Sequence, residues 1–158
     1  MDQGGGKDHE PMDALYVSAA LIQEKPYERN PGTVCEAPYV DVGICALASE
    51  GEVRFRARID TGADITCIPK DAARKLRPLL MGRPLLIRGH DGGVQRTRTY
   101  LMVVMVYGWP EIAVVRSYRP RRGVILTDSD IGLVGMDIVS QWDVSLERDP
   151  CRFSVVVL

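Results

Sequence analysis

Seven residues of strict alternation, Val53-Arg54-Phe55-Arg56-Ala57-Arg58-Ile59, run straight into Asp60-Thr61-Gly62. Period-two patterning predicts a half-buried strand, with Val53, Phe55, Ala57 and Ile59 on the buried face and the arginines facing water. The next three residues cannot extend that strand. Asp60 favours a turn closed by its own side chain, and Gly62 tolerates positive φ. The chain therefore delivers a carboxylate to a fixed point at the end of a rigid element. Ala63-Asp64 comes next, and Ile65-Thr66-Cys67-Ile68-Pro69 resumes an extended course. An Asp-Thr-Gly tripeptide also arises by chance, as an ordinary turn, in roughly a few per cent of chains this long, so its neighbours must decide.

Two further segments bear on it. Pro84 to Tyr100 has strand-like runs flanking Gly89-His90-Asp91-Gly92-Gly93, which reads as a hairpin with a glycine-rich, mobile tip. Gly123 to Thr127 is a β run. Ile131-Gly132-Leu133-Val134-Gly135 then leads into a short amphipathic helix that carries Ile138, Val139 and Trp142 inward.

In this order the three segments resemble the retroviral-type aspartic proteases, the retropepsins. The active-site loop of that family matches Ile59 to Asp64, its flap matches Ile87 to Val94, and its apolar-apolar-Gly element matches Leu133-Val134-Gly135. The similarity runs from about Pro38 to Leu158. It implies an all-β fold: a closed barrel or sandwich with a flap hairpin and one short C-terminal helix, acting as a homodimer. By matching position it implies Asp60 as the catalytic acid, with Thr61 in a hydroxyl pair beneath the two acids and Gly62 beside them. Ala63, Asp64, Ile87, Gly89, His90, Asp91, Gly92, Gly93, Leu133 and Val134 would hold the substrate.

The chemistry explains why such a chain would need a second copy. Two carboxylates about 3 Å apart share one proton, because both cannot ionise at that distance. The charged member takes a proton from water while the neutral one polarises the scissile carbonyl. The sequence contains a single Asp-Thr-Gly; Asp128-Ser129-Asp130 lacks the glycine and reads as a surface turn. One acid per chain makes an isologous dimer the simplest closed solution. Ala63 offers no side-chain donor to the acid where Ser or Thr would, and the expected optimum is mildly acidic to near neutral. His90 could modulate flap closure near neutral pH, although a solvated tip residue with no role is the stronger reading.

Composition excludes several other classes. A net charge of -1 over 158 residues gives no reason to expect nucleic-acid binding, and Arg116, Arg119, Arg121 and Arg122 read as a solvated loop. Cysteines at 35, 45, 67 and 151 have no CxxC pairing and no nearby ligand-like His, so neither metal nor cofactor is expected. Free thiols fit a cytoplasmic location, and Cys67, near the Asp60 loop, is the thiol to watch for oxidation. No apolar run approaches the ~20 residues of a membrane span. Residues 1–37 read as a flexible leader and possible activation segment, and 38–158 as the protease domain. Within the leader, Met12 to Lys25 suits either a short helix or a pairing strand, and Glu28 to Pro38 suits a linker. Leu15-Tyr16 and Ala20-Leu21 are apolar pairs that would suit self-cleavage.

The chain departs from the viral pattern in two places. Viral members carry Arg-Asn after the apolar-apolar-Gly element where Met136-Asp137 stands here, which leaves the support of Asp64 open. A further hairpin through Glu147-Arg148-Asp149-Pro150 to Leu158 is closer to cellular and bacterial stand-alone members. Its Val155-Val156-Val157-Leu158 end is too apolar for a bare edge and belongs in the core or a dimer interface. The expected activity is that of an aspartic endopeptidase on extended peptides; the alternatives are a silent dimer that binds peptides or protein partners, and a β module in which the turn is incidental.

Overall fold

The computed structural model describes residues 20–29, 36–47, 50–76, 80–89, 91–109, 114–148 and 151–157. The chain opens with β1 (Ala20–Pro26), β2 (Glu28–Arg29) and β3 (Glu36–Ala37), followed by the longer β4 (Tyr39–Ala46) and β5 (Glu52–Ile59). Next come β6 (Cys67–Pro69), the helix α1 (Lys70–Arg74) and β7 (Leu80–Met81). The hairpin β8 (Leu85–Arg88) and β9 (Val94–Thr97) leads into β10 (Tyr100–Tyr107) and β11 (Val114–Tyr118). The chain closes with β12 (Ile125–Thr127), β13 (Gly132–Val134), the helix α2 (Met136–Val139), β14 (Trp142–Arg148) and β15 (Cys151–Val157). The fold is all-β, with helices of only five and four residues.

The main sheet runs β11-β10-β4-β5-β13-β6-β12, with β7 on the flank of β10. Most of it is antiparallel, but β13 lies parallel to β5 and β12 parallel to β6. The hydrophobic pattern accounts for the long strands. Val42 and Ile44 of β4 and Val104 and Val106 of β10 are fully buried on one face, each such side chain contributing roughly 1.5–3 kcal/mol on leaving water. On β5, Ala57 and Ile59 are buried while Val53 and Phe55 are half-buried. The arginines of β5 do more than face water. Arg56 is half-buried, pairs with Glu28 and stacks 4.8 Å over the Tyr39 ring.

A second sheet, β1-β15-β14, packs on the same core. Phe153, Val155 and Val157 alternate inward from β15 and meet Ile138, Val139 and Trp142, which puts the apolar C-terminal strand in the core. Trp142 acts as a packing residue: its indole N–H donates to the Tyr118 hydroxyl at 2.6 Å within the buried interior. The expected linker contains a small antiparallel pair, β2 with β3. Ala20–Pro26, inside the expected leader, is a strand paired with β15 through Ala20↔Val157 to Pro26↔Arg152. Lys25 fastens this strand to the main sheet. Its ammonium is almost wholly buried, donates to the Tyr39 carbonyl at 3.0 Å and pairs with Glu28 at 2.8 Å. No helix among the described residues is long and apolar enough to cross a membrane.

Candidate functional site

Asp60 stands directly after β5, held from both sides. Ile59 N–H donates to the Pro38 carbonyl at 2.9 Å, and Asp60 N–H donates to the Val134 carbonyl at 3.0 Å. The turn closes by Ala63 N–H donating to the Asp60 carbonyl at 3.2 Å, and Gly62 N–H donates to Asp60 Oδ1 at 2.9 Å. The other carboxylate oxygen, Oδ2, accepts from Arg58 Nη2 at 3.2 Å, and the Asp60 side chain keeps 25% of its surface exposed. The result is a fixed, solvent-reachable carboxylate with one guanidinium beside it. Thr61, Gly62 and Asp64 are exposed and Ala63 is half-buried. Asp64 forms no ion pair among the described residues.

Far-off segments brace the loop after the turn. Met136 N–H donates to the Ala63 carbonyl at 2.7 Å. Asp137, in the first turn of α2, accepts from Thr66 twice: backbone N–H to Oδ2 at 3.1 Å and hydroxyl to Oδ1 at 2.7 Å. The Thr66 hydroxyl in turn accepts from Gly135 N–H at 3.1 Å. Sequence pattern alone assigns no role to Thr66 or to this pairing. The one signal is a polar residue, Thr66, inside an otherwise apolar run, which in a buried strand demands a partner. Asp137→Ala would leave the Thr66 donors unpaired, and Thr66 is only 1% exposed. The expected cost is about 2 kcal/mol, read from the midpoint of urea unfolding, with Asp137→Asn recovering most of it.

Among the flap-like residues, Ile87 lies half-buried on β8, while Gly89, Asp91, Gly92 and Gly93 form the exposed tip; His90 falls outside the described residues. The tip is closed by Gly92 N–H donating to the Gly89 carbonyl and Gly89 N–H to the Gly93 carbonyl, both at 2.9 Å. Asp91 Oδ1 adds a bond from Gly93 N–H at 3.0 Å, and Gly92 takes φ +80, which favours glycine. The hairpin pairs with no other strand among the described residues. Leu133 is half-buried and pairs with Arg58 across β13 and β5. Val134 is fully buried, and reaches the site only through the carbonyl that accepts from Asp60.

Cys67 lies next to this centre, its thiol contacting the Ile65 carbonyl at 3.5 Å. Burial, with the carboxylates of Asp137 and Asp60 adding to it, pushes the thiol up to about 11 from 9.0. Thiolate is therefore scarce at neutral pH and oxidation slow. A hundredfold lower thiolate fraction is partly offset by the greater nucleophilicity of a more basic sulfur, so iodoacetamide should label Cys67 roughly tenfold more slowly in the native than in the unfolded protein at pH 8. The native state keeps its proton longer than the unfolded chain, so this group's stabilising contribution is complete below pH 9 and lost as pH rises towards 11. Among the described residues, no group of three or more His, Cys, Asp or Glu is placed to hold a metal ion.

No family model matches the sequence, and no curated protein matches it. Five chains of solved structures do match. One is the EIAV protease complexed with an inhibitor, with a TM-score of 0.39 and 19% sequence identity over 68% of this chain and 88% of that one.

Proposed function

We propose that this chain is an aspartic endopeptidase that works as a homodimer, each copy supplying its Asp60 to one shared centre. The observation that carries the reading is the Asp60 turn itself: a part-exposed carboxylate that accepts from Gly62 N–H, on a backbone whose Asp60 N–H donates to the Val134 carbonyl, in a sequence holding one such acid. A second copy would complete the pair. One Asp60 would then take a proton from water as its oxygen attacks the scissile carbonyl carbon. The other Asp60 would hydrogen-bond the carbonyl oxygen, and the leaving amine would depart with a proton as the tetrahedral centre collapses. An extended peptide would bind by strand-like backbone pairing beneath the β8–β9 hairpin. The added β14–β15 hairpin favours the cellular and bacterial type over the viral one.

A second reading, a dimer that binds peptides without cutting them, is favoured by the Arg58 guanidinium resting on Asp60 Oδ2. Turnover separates the two. The test is cleavage of a mixed peptide library from pH 4 to 7.5 at a series of protein concentrations, with the oligomeric state followed by analytical ultracentrifugation. Cleavage that falls with the dimer fraction on dilution supports the proposal. A stable dimer with no cleavage at any pH overturns it in favour of the binding role. Self-cleavage of the leader belongs to the same proposal, and a leader intact after prolonged incubation of active protein would exclude it.

A further inference from the structure

Strand register sets Tyr39, Arg58 and Leu133 side by side across β4, β5 and β13, and cross-strand partners share one face of a sheet. With Thr127 at the end of β12, and Ser129 and Ile131 from the β12–β13 connection, they line an open recess of about 300 Å³. Tyr39, Ile131 and Leu133 make its apolar walls. Thr127 Oγ1 accepts from Ser129 N–H at 3.2 Å, and Ser129 Oγ accepts from Ile131 N–H at 3.1 Å, so both hydroxyls remain free to donate.

Among the described residues, Arg58 is the only charged one of the lining. Its Nη2 reaches Asp60 Oδ2 at 3.2 Å, so the recess opens beside the acid. The guanidinium has five N–H donors. Its one hydrogen bond among the described residues is the Nη2 contact to Asp60. The connection that carries Ser129 and Ile131 also holds two carboxylates. Asp128 is engaged by Lys70 at 2.7 Å, and Asp130 is exposed and outside the lining.

We propose that this recess receives the acidic side chain of a substrate residue flanking the scissile bond, glutamate above all, with Arg58 as its counter-ion. The inference rests on the peptidase reading of Asp60. Glutamate suits the chemistry at both ends: two methylenes against Tyr39 and Leu133, and a carboxylate that can take a planar guanidinium with two parallel bonds. The incoming carboxylate competes with Asp60 for Arg58, so the correct side chain both fills the recess and frees the catalytic oxygen. Arg58 thereby sets specificity, and its occupancy governs the exposure of Asp60.

The test uses N-acetylated, C-amidated octapeptides with Glu, Gln or Leu at the two central positions, so that the side chain is the only variable carboxylate. Wild type is expected to favour Glu over Gln about tenfold in kcat/KM, a ratio that shrinks as salt rises. Arg58→Leu should bring the ratio to about one and favour Leu, while Arg58→Lys should retain part of the preference for Glu. In parallel, peptide affinities are measured by fluorescence anisotropy with Asp60→Asn, which cannot cleave and leaves Arg58 without its competitor. There the Glu peptide should bind at least tenfold more tightly than the Gln peptide. Equal Glu and Gln affinities, or a Glu preference that survives Arg58→Leu, would overturn the assignment. Glu-selective binding without cleavage would leave the recess standing and remove the peptidase reading; cleavage without Glu preference would do the reverse.

Discussion

Replacing Asp60 with Asn is expected to lower peptide hydrolysis by at least about a thousandfold while leaving the fold intact. General acid–base groups contribute on the order of 10² to 10⁴ in rate, and on the dimeric peptidase reading one residue would supply both the acid and the base of the pair. The variant should fold because all but one of the structural contacts of Asp60 survive in Asn. The amide oxygen still accepts from Gly62 N–H, and the bonds to the Val134 carbonyl and from Ala63 N–H are main-chain. Only the Arg58 ion pair is lost, with side chains 46% and 25% exposed, and contacts of that kind are worth less than about 1 kcal/mol. Mixing gives a sharper result. If two Asp60 residues share one proton, a hybrid dimer is dead, and activity should fall as the square of the wild-type fraction after subunit exchange. A linear fall would mean that one chain suffices, and would remove the dimeric mechanism.

Gly135→Ala is expected to destabilise the chain by about 3 kcal/mol or more. For a domain of this size that lowers the melting temperature by about 10 °C. A Cβ at Gly135 would stand 2.7 Å from the Ile65 carbonyl carbon, 2.8 Å from the Ala63 oxygen and 2.9 Å from the Ile65 oxygen. All three are backbone atoms, so no side chain can rotate away. The only relief is to push α2 off the Asp60 loop, which breaks the Met136 N–H bond to the Ala63 carbonyl and the Gly135 N–H bond to Thr66. Circular dichroism on heating reads the first effect. Peptidase activity well below the melting point reads the second, and should drop more than the folded fraction does. Gly62→Ala is the contrast: its Cβ would meet only Asp60 Oδ1, at 3.3 Å. A melting temperature unchanged in Gly135→Ala would mean that the two segments are not held together as described.

Where pattern is local, the sequence is a good guide. The alternation of Val53 to Ile59 maps onto β5, and the glycine-rich hairpin onto β8 and β9. Leu133-Val134-Gly135 leads into α2 with Ile138 and Val139 buried. The misses depend on register between distant strands, which period and propensity do not encode. Of the helix and the pairing strand that Met12 to Lys25 suits, Ala20–Pro26 forms the strand, but nothing in its composition says that its partner is β15, or that Lys25 is buried against Tyr39. Arg58 is the instructive intermediate case. Period two correctly puts it on the polar face, but that face also carries the Asp60 carboxylate, so the arginine has a charged partner as well as water.

The bracing of Asp60 also has a consequence in time. The turn is anchored by Val134 and, through Thr66, by Asp137, a residue 71 positions further along the chain. A ribosome that has made the Asp-Thr-Gly turn has yet to make what holds it, and the second sheet needs residues near both ends, Ala20 with Val157. Such long-range pairings close late and slowly, in milliseconds to seconds for comparable β proteins. A nascent chain therefore carries the acid without the geometry. On the peptidase reading, its own unfolded segments would not meet a finished centre emerging from the same ribosome, and activity would arrive only once β13 to β15 have been made.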